Sequence, residues 1–113
     1  MKKAHKRDWL DQFLADYLTE LRVERNLAAN SLEAYKRDIN SFLDFVREEN
    51  IGDLSEITAD HAREFFASLT ASGLSGLSLA RFHSSLKGFF SFLVVSEYIK
   101  KSPLSRLKPP RIK

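Results

Sequence analysis

Residues 77–93 read Leu-Ser-Leu-Ala-Arg-Phe-His-Ser-Ser-Leu-Lys-Gly-Phe-Phe-Ser-Phe-Leu. Leu79, Phe82, Leu86, Phe89, Phe90 and Leu93 recur at three- and four-residue spacing, which gathers them on one side of an α-helix but would scatter them over both faces of a strand. A helix is therefore predicted to begin between Leu77 and Leu79 and to fade near Tyr98. Three earlier segments share this period. Leu10, Phe13, Leu14, Tyr17, Leu18 and Leu21 form the first, with Asp8 as its N-cap and an end near Arg25. Leu32, Tyr35, Ile39, Phe42, Leu43 and Val46 form the second; Asn30 with Glu33 resembles a capping box, and Ser31 is an alternative cap. After a break at Asn50-Ile51-Gly52-Asp53, Thr58 caps a shorter helix carrying Ala62, Phe65, Phe66 and Leu69, and Gly73 and Gly76 mark the next turn. No segment sustains strand alternation. The expected fold is all-α, a compact bundle of four main helices.

With 113 residues there is room for one domain of ordinary size. The formal charge of +3 is nearly neutral, but its distribution is not. Residues 1–7 hold four bases and no acid, residues 98–113 six bases and no acid, and residues 8–97 eight bases against fifteen acids. This polarity suggests a basic tail at 1–7, a folded body at 8–101 and a basic linker at 102–113, where Pro103 and Pro109-Pro110 favour extended backbone. The absence of cysteine excludes a disulfide framework, a thiolate nucleophile and a zinc knuckle, and makes a reducing cytoplasm the expected location. No apolar run has the length of a membrane span, and Asp8, Asp11 and Asp16 interrupt any signal-peptide core. His5, His61 and His83 share no ligand spacing, so neither a metal nor another cofactor is implied.

The carboxylates are spread along helices at spacings that suit solvation, as in Asp16 and Glu20, and form no acid–base cluster. His61 in a first turn and His83 at the edge of an apolar stripe read as structural or surface residues. The side of the last helix opposite Leu86 is more informative: Arg81, Ser84, Gly88 and Ser91 lie there, flanked by Ser85 and Lys87, with no acid between residues 77 and 96. Such a surface fits close approach to phosphates, with hydroxyls for phosphates or base edges; it equally fits a solvated helix face with a packing glycine. On the second helix Asn30, Arg37 and Ser41 point outward with Lys36 beside them, and Asn30 and Ser31 sit where a helix N-terminus favours an anion. Asp38 and Asp44 oppose that reading by repulsion, although Asp38 could orient Arg37 or pair with another helix.

The run Leu27-x-x-Asn30-Ser31-Leu32-x-x-Tyr35-x-x-Asp38-Ile39-x-x-Phe42-x-x-Phe45 resembles the second helix of the N-terminal core-binding domain of tyrosine recombinases of the phage-integrase and Xer group. Ser78-Leu79-x-Arg81-x-x-Ser84-x-Leu86-Lys87-x-Phe89-Phe90-x-Phe92-Leu93 resembles its fourth helix, and Ser102-Pro103-x-x-x-Leu107-x-Pro109 its exit into the interdomain linker. The family usually has Thr in place of Ser31 and Asn-Pro in place of Ser102-Pro103. The resemblance implies a SAM-like helical domain that covers one face of duplex DNA with its second and fourth helices toward the major groove. It implies a contact edge of Asn30, Ser31, Tyr35, Lys36 and Arg37, and a second edge of Arg81, Ser84, Ser85 and Lys87. Tyr35 also belongs to the apolar stripe, so a core role is equally open.

The same resemblance implies that the catalytic residues of strand transfer belong to a separate C-terminal domain, so this chain is expected to bind DNA and not to cut it. Its expected partners are a recombination site and other recombinase subunits in a DNA-bound tetramer, with no membrane. The rival reading is a helical protein–protein interaction module, favoured by the net −7 of residues 8–97. A complete small DNA-binding protein is a third, which the linker-like ending Lys108-Pro109-Pro110-Arg111-Ile112-Lys113 argues against.

Overall fold

The four apolar stripes become four α-helices in the computed structural model, which describes residues 2–105, 107 and 108, with side chains from residue 10 onward. They are α1 (Lys2–Glu24), α2 (Ala29–Glu48), α3 (Ala59–Ala71) and α4 (Gly76–Val95), with a 3-10 turn at Leu54–Glu56. No strand occurs among the described residues, so the all-α class holds. No described helix is long and apolar enough to cross a membrane. The chain divides into two units, one up to Gly52 and one from Asp53 onward.

In the first unit α1 packs on α2. Leu10, Phe13, Leu14, Tyr17 and Leu21 of α1 are buried, as are Ile39, Phe42, Leu43 and Val46 of α2. α1 starts at Lys2, so Asp8 lies inside the helix and residues 2–7 are helical where a tail was expected. Lysine and alanine are good helix formers, and the helix extends through them without an acidic first turn. Asn26, at φ 54°, reverses the chain between the helices. Arg47 of α2 ties the pair together: its guanidinium donates to Asp11 of α1 at 2.7 Å and to Asp44 at 2.9 Å. Both carboxylates are well exposed, so each pair contributes about 1 kcal/mol or less. Asn50, at φ 59°, closes α2: its N–H donates to the Arg47 carbonyl and the Ile51 N–H to the Val46 carbonyl, at 3.1 and 3.2 Å.

In the second unit α3 packs on α4. Thr58 caps α3 as expected, and His61 completes the motif: its N–H donates to Thr58 Oγ1 at 3.2 Å while its Nδ1 accepts the Thr58 N–H at 3.0 Å. The histidine does here what Glu or Gln does in the common capping box, which settles its structural role. α4 starts one residue earlier than expected because Ser75 Oγ accepts the Ser78 N–H at 3.2 Å. Edge-on contacts of Phe65 with Phe82, 6.1 Å between ring centroids, join the two helices.

The C-terminal segment departs from the linker expectation. Glu97, at φ 66°, ends α4, and the chain turns back over residues 102–105. Ser102 Oγ accepts the Leu104 N–H at 3.0 Å, and the Ser102 carbonyl accepts the Ser105 N–H at 3.1 Å. Ile99 and Leu104 are buried, at 7% and 4% exposure, and Leu107 is half-buried. His83 Nε2 lies 3.5 Å from the Leu107 carbonyl, a long contact in which the imidazole is the donor. An extended linker therefore does not begin at Ser102; three apolar residues at 99, 104 and 107 fold the segment back. Arg106 and Pro109–Lys113, on which the rest of the expected linker falls, lie outside the described residues.

Candidate nucleic-acid interface

The two expected contact edges fall in different units, one on α2 and one on α4. On α2 the helix begins at Ala29, and the N-cap position is Ala28, whose side chain accepts no hydrogen bond. Asn30 and Ser31 are therefore not caps, contrary to the sequence reading: they occupy the first helical turn. The turn's N–H groups have no side-chain acceptor, and the positive end of the helix dipole lies beside exposed Asn30 and half-buried Ser31. Lys36 and Arg37 are exposed. Ser41 is exposed too, but its hydroxyl donates to the Arg37 carbonyl at 3.1 Å and is used locally.

The acids that opposed this edge are largely withdrawn. Asp38 is 1% exposed, so it presents no carboxylate to solvent. Asp44 is engaged by Arg47. Glu33 remains exposed. Tyr35 is half-buried and lies within electrostatic reach of Tyr17. Burial pushes the Tyr17 phenol up to about 12; Arg25 works against the rise, and Tyr35 and Glu20 add to it. Tyr35 is thus neither fully covered nor fully exposed, and part of its surface remains open on this edge.

On α4 the outward side carries Arg81, Ser84 and Ser91, all exposed, with exposed Lys87 on its flank and half-buried Gly88 between. No acidic residue occurs on the helix. The Arg81 guanidinium carbon lies 5.3 Å from the centroid of the Phe82 ring, so the cation rests over the ring of its neighbour on the same helix. Ser85 is a correction: it is fully buried and presents no hydroxyl outward. It lies on the same arc as Phe82 and Phe89, which are also buried. A hydroxymethyl group is too short to escape a covered flank, whereas the four-carbon stem of Lys87 carries its ammonium clear of the opposite one.

Sequence reasoning missed two features of these surfaces, the burial of Asp38 and the exposure of Leu77. The first had no local signal, since Asp38 differs from exposed Asp44 only in what covers it. The second could have been found, because the helical period that turns Leu86 inward turns Leu77 outward. Leu77 is 70% exposed on the same stripe as Arg81 and Ser84. Neither surface holds a pair of reactive groups. A cleft of about 320 Å³ in the second unit, bordered by Phe66, Leu79, His83 and Leu107, contains an imidazole but no carboxylate. Among the described residues no cluster of His, Asp and Glu could hold a metal ion.

Comparison with known proteins bears on what these surfaces meet. The chain is 33% identical over 102 residues to tyrosine recombinase XerC of Pseudomonas syringae pv. syringae, a match covering 90% of this chain and 34% of that protein. It is 28% identical over 102 residues to tyrosine recombinase XerD of Staphylococcus aureus strain Mu50, covering 90% of this chain and 35% of the relative. The chain thus spans about a third of the length of the curated relatives it matches. No solved structure matches it. Residues 14–97, running from α1 to the end of α4, match the family described as phage integrase, N-terminal SAM-like domain. Four helices in the expected order, together with this match, show that the chain belongs to the phage-integrase N-terminal SAM-like domain family.

Proposed function

We propose that the chain binds duplex DNA as the N-terminal part of an Xer-like site-specific recombinase. The observation that carries this reading is α4: a helix with no acid that exposes Arg81, Ser84, Lys87 and Ser91 along one side, in a chain whose folded body is otherwise acidic. Arg81 and Lys87 supply charge for phosphates or a guanine edge, and the serines donate to either. α2 supplies the second edge, with Lys36 and Arg37 as cations and the uncapped first turn at Asn30 and Ser31 as a site for one phosphate. Half-buried Tyr35 completes this edge.

Recruitment and orientation of the duplex are this chain's share of recombination. Cutting and rejoining belong to the two-thirds of the XerC- and XerD-like proteins beyond the matched region, and the DNA-bound partners are further recombinase subunits. The work takes place in the cytoplasm.

A salt titration with duplex DNA tests the reading. Four exposed cations, Lys36, Arg37, Arg81 and Lys87, give a slope of log K against log salt of about −3.6 at −0.9 for each phosphate neutralised. Arg81→Ala with Lys87→Ala reduces it to about −1.8. Binding that ignores salt, or a slope unchanged by the double substitution, refutes the α4 assignment.

A further inference from the structure

The DNA-binding reading leaves an exposed leucine at the start of α4 without a role. Leu77 is 70% exposed, while Leu86 and Leu93 of the same helix are fully buried. At about 100° per residue it lies diametrically opposite Leu86, in line with Arg81 and Ser84. It stands in the first turn, next to the Ser75 cap.

We propose that Leu77 reads the C5-methyl group of a thymine in the major groove, one or two base steps from the base addressed by Arg81. The inference rests on the DNA-binding reading and adds to it a residue that discriminates sequence. The rise from Leu77 to Arg81 is about 6 Å along the helix axis, close to two base steps of about 3.4 Å. Of the four bases, only thymine offers a methyl group to the major groove, and an apolar side chain is the group that takes it. Val95 shares the stripe and is 81% exposed, but the helix geometry separates it from this position. It lies about 27 Å from Leu77, further than the few side chains of a straight helix that reach base edges in one groove. It also sits at the negative end of the helix dipole beside Glu97, where phosphates are repelled, whereas Leu77 sits at the positive end.

The test selects preferred duplexes from a randomised pool with the 113-residue chain, then replaces each preferred thymine in turn by deoxyuridine, which removes only the methyl group. At one thymine, wild type should lose about fourfold in affinity, the worth of one buried methyl-sized group. Leu77→Ala should bind thymine and deoxyuridine duplexes equally, with an unchanged salt slope and unchanged helical circular dichroism. Salt-dependent binding by wild type that no deoxyuridine weakens overturns the inference and leaves the DNA-binding reading standing. A Leu77→Ala chain that keeps the fourfold loss does the same. Absence of any binding by wild type overturns both.

Discussion

Leu104 decides whether the segment after α4 is part of the folded unit. The side chain is 4% exposed, held by a turn in which Ser102 accepts its N–H at 3.0 Å. Leu104→Ala removes three buried carbons, about 2.4 kcal/mol at 0.8 kcal/mol each, and leaves a partly collapsed cavity. Neighbouring Ser105 is exposed and Pro103 half-buried, so the site can close over much of the space, and the total stays near the lower end of the range, about 3 kcal/mol. For 113 residues the unfolding entropy is about 0.24 kcal/mol/K, which converts this loss into a fall in Tm of about 12 °C. Thermal unfolding followed by circular dichroism, with exposed Ser105→Ala as control, measures it; the control should melt within about 2 °C of wild type. A Leu104→Ala chain that melts with the control would show that the packing of residues 99–107 carries no stability. The extended-linker reading from Ser102 onward would then be restored.

Two further perturbations probe burial elsewhere. Because the Tyr17 phenol is raised to about 12 in the folded chain against about 10 unfolded, the protonated form is the one the fold favours. Its contribution, about 3 kcal/mol, is complete below pH 10 and is lost as pH rises through 12; Tyr17→Phe should flatten the alkaline limb of a urea-unfolding profile, and an unaltered limb would refute the assignment. Ser84 and Ser85 are adjacent in sequence and opposite in exposure. Ser84→Lys should leave stability within about 0.5 kcal/mol and steepen the DNA salt slope by about 0.9. Ser85→Lys should cost about 3 kcal/mol or more through a buried charge, so equal melting of the two variants would contradict their placement.

Much of the fold was legible because helical periodicity is a local property. Every residue of the four expected stripes is buried or half-buried. Thr58 was readable as a cap, since its motif lies within four residues. The starts of α1 and α2 were not: Asp8 and Asn30 have the chemistry of caps, yet α1 runs through the first and α2 begins before the second. Cap preference is worth about 1 kcal/mol, and an extra turn favoured by packing or propensity overrides it. For the candidate interface, Lys36, Arg37, Arg81, Ser84 and Lys87 are exposed as the period predicts, whereas Ser85 is not. A side chain on the flank of a helix is covered or bare according to its neighbours, which the helical wheel does not contain.

The sequence by itself determined the helical class, the inward faces, the acid-free character of α4 and the resemblance to the integrase family, because spacing, composition and motif order are written along the chain. Only the tertiary structure decided that Asp38 and Ser85 are interior, that Tyr35 is half-buried, and that Ile99 and Leu104 are covered within the second unit with Leu107 half-buried beside them. Those outcomes depend on which residues distant in sequence cover a given side chain. A few scattered apolar residues without periodicity can decide them through burial that no local pattern records.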